Sequence, residues 1–114
     1  MRRSDRIILQ KISAVIEETE EIFSDISLED FLKNSERKLA MGMSIIRVGE
    51  LVKTLSAEFR LENSHVAWKD VAGFRDVVAH RYNVLDFNRV YGSIKYELPE
   101  LKSQIEKILE SEEK

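Results

Sequence analysis

Met41, Ile45, Val48, Val52, Leu55 and Phe59 recur at alternating steps of four and three, the spacing of one α-helical face turned repeatedly toward a core. No proline interrupts them, and a strand would send alternate members to opposite faces. This register predicts a helix from about Ser35 to Leu61, and a helix of that length needs other long helices to cover it. Three further segments qualify. From Ser4 onward, Ile8, Ile12, Val15, Thr19 and Ile22 repeat the same steps, with EETEE at 17–21 as the solvated face. After the polar break ENSH, Trp68, Val71, Ala72, Arg75, Val78, Ala79 and Tyr82 fall on related faces. Beyond Asp86, a candidate cap, Phe87, Val90, Ile94, Leu98, Leu101, Ile105 and Ile108 form one stripe that continues across Pro99, so a kink rather than a break is predicted there. Ser27, three residues before Asp30 in SLEDFL, marks a short extra helix ending near Asn34.

The expected fold is therefore all-α, an up-and-down bundle of four long helices plus a short one, with residues 1–114 in a single domain. Only four glycines and one proline are present, so turn chemistry is scarce. Gly42, Gly49 and Ser56 recur at seven-residue intervals. Such a stripe lets another backbone approach closely, although two glycines also fall on one face by chance. No apolar run reaches the ~20 residues needed to span a bilayer, and MRRSDRIILQ is followed by no small-residue cleavage site, so no membrane association and a cytoplasmic location are expected. The absence of cysteine excludes disulfides and thiolate chemistry and removes the usual zinc ligands.

A net charge of −3 argues against a general nucleic-acid binder. The average conceals an asymmetry. Residues 65–96 hold Lys69, Arg75, Arg81, Arg89 and Lys95 against Asp70, Asp76 and Asp86, together with both histidines, His65 and His80. That pattern suits a confined anionic substrate better than a long duplex. Within it, GFRDVVAHRYN gathers Arg75, His80 and Tyr82. Residues four apart share a helix face, which pairs Asp76 with His80 and would orient the imidazole and favour its protonated form, while Arg81 opposes that effect. Arg75 and Tyr82, seven apart, lie nearly above one another, and a guanidinium fork is a natural partner for a phosphate. RNA supplies its own nucleophile in the 2′-hydroxyl, so a base, an acid and positive charge suffice for cleavage. No metal or other cofactor is required. The one Glu-x-x-His stretch, Glu62 to His65, lacks the second copy and the extra glutamates that a di-iron bundle uses. A plain structural bundle would leave the charge asymmetry unexplained.

The stretch WKDVAGFRDVVAHRYN, with SIIRVGELVKTL upstream and YELPELKSQI downstream, resembles the HepT-like branch of the HEPN superfamily over roughly residues 5–110. The resemblance implies a metal-independent ribonuclease that acts as a toxin beside a minimal nucleotidyltransferase antitoxin. It implies Arg75 and His80 as the catalytic pair and Tyr82 as the tyrosine that receives AMP; Asp76 and Arg81, beside them in the sequence, are the expected supporting residues. Asp76 departs from the family, where a polar residue, very often asparagine, follows the arginine. A single histidine cannot easily serve as both acid and base, and His65 falls in a loop, so a two-fold homodimer facing two motif helices is expected, with the glycine stripe as one candidate contact. The alternative is a non-catalytic module that holds a nucleotide or recruits the nucleotidyltransferase without cutting RNA.

Overall fold

A computed structural model describes residues 1–112, and every regular element among them is helical. Helix α1 (Arg3–Phe23) starts one residue before the expected Ser4, without a side-chain cap. Its buried stripe is Leu9, Ile12, Val15, Ile16, Thr19 and Phe23, so Ile12, Val15 and Thr19 are buried as expected, whereas Ile8 is only partly covered and Ile22 is exposed. Two registers fit the same apolar spacing, and the packing partners chose between them: Phe23 meets the rings of Phe31 and Tyr91 at centroid distances of 6.1 and 5.3 Å. Helix α2 (Leu28–Leu32) begins as expected, with Ser27 Oγ accepting from the Asp30 amide at 3.2 Å, and it drives Phe31 fully into the core.

Helix α3 (Ser35–Thr54) opens on Asn34, whose Oδ1 accepts from the Arg37 amide at 2.9 Å. It does not run to Leu61. Leu55 turns to extended backbone, and Ser56 caps a separate helix, α4 (Ala57–Glu62), by accepting from the Phe59 amide. The buried carboxylate of Asp5 accepts from both the Ser56 amide at 2.8 Å and the Ser56 hydroxyl at 2.7 Å. The break is thus held by a residue at the far end of the sequence. Val52, Leu55 and Phe59 are buried on both sides of it, which is why the apolar register concealed the interruption.

Helix α5 (Trp68–His80) runs antiparallel to α3, and these two form the most closely packed pair. A Cβ at Gly49 would lie 2.1 Å from Arg75 Cβ, and one at Gly42 would lie 3.2 Å from Tyr82 Cε2. The glycine stripe therefore serves contact inside the chain, and Ser56 serves as a cap. After a 3-10 turn (Tyr82–Val84), Asp86 caps α6 (Phe87–Gly92) through the Asn88 amide at 2.9 Å. A π-helical turn (Ser93–Glu97) then leads without a gap into α7 (Leu98–Glu112). The Leu98 amide donates to the Ser93 carbonyl, five residues back. Pro99 has no N–H for the turn before it and crowds the carbonyl four residues back, so the expected irregularity takes the form of a widened turn just upstream. Val90, Ile94, Leu98, Leu101 and Ile105 stay buried throughout. No described helix is long and apolar enough to cross a membrane.

Candidate active site at the end of α5

Helix α5 is seated by Trp68, Phe74 and Val78 in the core, and the Trp68 indole donates to the Asn63 carbonyl at 3.1 Å. Arg75 follows Phe74 and faces α3. The missing side chain at Gly49 lets the Arg75 stem lie against the α3 backbone, which leaves the side chain only 19% exposed. Its Nε sits 2.6 Å from Glu50 Oε1, close enough for an ion pair but off the N–H axis, so no aligned hydrogen bond forms. Its Nη1 donates to Asp76 Oδ1 at 3.1 Å. Lys53 Nζ meets the same Asp76 oxygen at 2.5 Å and lies 3.7 Å from Glu50. Two cations and two carboxylates therefore alternate between α3 and α5. The hydrogen bond from Lys53 is the main reason the Asp76 carboxyl is held below its ordinary range; the Arg75 hydrogen bond and both positive charges add to it and together outweigh partial desolvation.

This arrangement corrects the expected Asp76–His80 pair. Sharing a face made that pair feasible, but a lysine from the neighbouring helix approaches the carboxylate, and His80 makes no hydrogen bond or ion pair among the described residues. His80 is exposed at the last position of α5. The Arg81 amide closes the helix on the Val77 carbonyl at 2.9 Å, while its guanidinium has no partner among the described residues. Tyr82 is half-buried. Its ring packs edge-on against Phe87 at 5.5 Å and lies over Gly42, and its hydroxyl takes no hydrogen bond among the described residues. Ala79 through Val84 line one shallow, open depression, so His80, Arg81 and Tyr82 share a surface, with Arg75 held against α3 about 140° around the helix from His80.

Glu50 and Lys53 are the members that the motif alone does not reveal. The only signal in the sequence is that Glu50 and Lys53 lie three apart in SIIRVGELVKTL, a stretch that also carries Arg47, and nothing there links them to Arg75. His65 stays away from this site, exposed in the loop between α4 and α5 and on the opposite flank of α5.

The profile of the family described as "Ribonuclease HepT-like" matches residues 12–108. A protein of Caldanaerobacter subterraneus subsp. tengcongensis named "Putative RNase" is 38% identical over 105 residues, which cover 92% of this chain and 90% of the relative. A "Putative RNase" of Methanocaldococcus jannaschii is 31% identical over 108 residues, 95% of this chain and 93% of the relative. A protein of Thermococcus cleftensis named "Probable ribonuclease HepT" is 30% identical over 108 residues, 95% of this chain and 98% of the relative. No solved structure gives a significant match.

Proposed function

The chain belongs to the HepT-like family of ribonucleases, and from that premise we propose that it is the RNA-cutting toxin of a toxin–antitoxin pair, acting in the cytoplasm as a single domain over residues 1–114 and as a two-fold homodimer. The observation that carries this reading is the contrast at the end of α5: Arg75 is held rigidly by α3, and His80 is exposed with no partner among the described residues. A fixed guanidinium is suited to binding the phosphate on which charge develops, and an unpaired imidazole is suited to proton transfer.

Cleavage begins when the 2′-hydroxyl loses its proton to a base and its oxygen attacks the adjacent phosphorus. The bond to the 5′-oxygen breaks as that oxygen takes a proton from an acid, leaving a 2′,3′-cyclic phosphate and a 5′-hydroxyl. Each chain brings one His80, so two copies facing across a cleft provide both the base and the acid. Arg75 neutralises the phosphate, Arg81 adds positive charge at the rim, and Asp76 tempers the field beside Arg75. No step needs a metal.

The support for a dimer comes from a different stripe than the glycines. Leu39 and Met43 on α3 are 59% and 55% exposed, and the spacing that joins them to Ile46 runs on into Glu50 and Lys53. Val77 and Val84, beside His80, are also exposed. An uncovered apolar stripe that leads into the ion cluster is a surface a second copy can bury together with the site.

Tyr82 is the position a nucleotidyltransferase antitoxin would adenylylate. Its hydroxyl takes no hydrogen bond among the described residues, and AMP attached there would set an anion beside Arg81 and in front of the RNA path, which switches the enzyme off. The test is cleavage of a defined RNA by pure protein in excess chelator. Arg75→Ala and His80→Ala should each stay folded and lose about 10²–10⁴-fold in rate. Cleavage abolished by the chelator, or unaffected by His80→Ala, overturns the mechanism. Co-expression with the nucleotidyltransferase and intact-mass analysis should give adducts on Tyr82 and an inactive protein.

A further inference from the structure

A second concavity, of about 240 Å³, lies between α3, the start of α5, the π-helical turn and α7. It is not an extension of the candidate active site. Phe74 borders it and Asp76 borders the other, and two helical positions place them ~200° apart around α5. Its floor is apolar and buried: Ile45, Val48, Phe74, Leu98 and Leu101. Ser93 lines it at 5% exposure, and among the described residues its hydroxyl has no hydrogen-bond partner. That hydroxyl is not sealed from solvent, so it is free to hydrogen-bond a group that enters the cavity. The π-helical turn brings Glu97 to the same rim as Ser93, and such turns are frequent at functional sites.

Charge selects the class of ligand. Asp70, Glu97 and Glu100 stand on the rim with no ion pair among the described residues, against His65 and one arginine, Arg89, whose guanidinium is already laid over the Phe74 ring at 4.3 Å. An acidic rim repels RNA phosphates and attracts a cation, while the apolar floor favours methylene groups over a hydrated ion. We propose that this cleft binds an aliphatic cation: an alkyl chain on the floor, with an ammonium or guanidinium head held by Glu97, Glu100 and Asp70. Such a group comes either from a free small amine or from a basic side chain of a partner protein. The proposal does not depend on the RNA-cutting mechanism.

The test is an NMR titration of the full chain with hexylguanidinium, alongside hexanol, hexanoate and a capped Ala-Arg-Ala peptide. Hexylguanidinium should give saturable shifts at Phe74, Ser93 and Leu101, hexanol should bind more weakly, and hexanoate should not bind. The double substitution Glu97→Gln, Glu100→Gln removes two exposed charges without touching the core and should weaken binding about tenfold. Ser93→Ala should weaken it severalfold with the fold unchanged. Saturation at the same residues by the peptide assigns the cation to a partner side chain, and its failure beside hexylguanidinium binding assigns it to a free small amine. Equal binding of hexanoate, shifts that never saturate at millimolar concentration, indifference to the double substitution, or occupation of the cleft by an RNA oligonucleotide would each overturn the proposal.

Discussion

Asp76 is the residue at which this chain departs from the pattern it resembles, and it also ties Lys53 and Arg75 into one neutral cluster. Replacing it with asparagine keeps the shape and removes one negative charge beside the proposed phosphate site. Asp76→Asn should therefore bind RNA severalfold more tightly at low salt, with a steeper loss of affinity as salt rises. Anisotropy with a labelled RNA measures both, and unchanged affinity would place the cluster outside the RNA path. The same carboxyl gives a pH signature. Its folded value lies below the ordinary 3.8, chiefly through the Lys53 hydrogen bond, so its stabilising effect is complete above that value and is lost as pH falls through the lower folded one. The thermal midpoints of wild type and Asp76→Asn should converge in acid and separate above about pH 4, with wild type higher. High salt should shrink the gap, since the carboxylate is exposed.

At the scale of elements, the approach of α3 to α5 rests on glycines that differ in what surrounds them. Gly49→Ala sets a Cβ 2.1 Å from Arg75 Cβ, which is not the movable end of a side chain, so the helices must part. The expected loss is about 1–3 kcal/mol and several degrees of melting temperature, with cleavage impaired as Arg75 shifts. Gly42→Ala meets only the edge of the Tyr82 ring at 3.2 Å, which can tilt, so its loss is smaller. Gly73, inside α5, has nothing within 4 Å of an added Cβ, and Gly73→Ala should gain about 0.5–1 kcal/mol from helix propensity. Thermal melts should rank Gly73→Ala above wild type, then Gly42→Ala, then Gly49→Ala. A Gly49→Ala protein as stable as wild type would mean that α5 sits further from α3 than described.

For the whole molecule, the proposed catalytic unit is two chains. Leu39→Glu with Met43→Glu places two charges on the exposed stripe of α3 without disturbing a buried residue. The variant should keep its circular dichroism, sediment as a monomer, and lose at least about tenfold in cleavage if the two His80 act together. A variant that remains dimeric moves the contact elsewhere. A monomer that cuts at the full rate rules out a shared site.

Periodicity in the sequence was enough to establish the helical class, the buried stripes of α3 and of α6 through α7, and the caps at Ser27 and Asp86, because these depend on residues within one or two turns of each other. The spacing of Arg75, His80 and Tyr82 was equally visible, but α5 ends at His80, so Tyr82 lies in the 3-10 turn beyond it and not one heptad above Arg75 on the same helix. Tertiary contact decided the rest. Ile22 lost its place in the core to Phe23 because of rings from α2 and α6, and the long helix stopped at Thr54 because Asp5 claims the donors of Ser56. The glycine stripe was legible as a close approach, but its partner was not, and it proved to be α5. Asp76 lies one turn from His80 yet pairs with Lys53, because a charge from the neighbouring helix, 23 residues away in sequence, comes within 2.5 Å. Local spacing limits which residues can meet, and only the packing of distant segments selects which of them do.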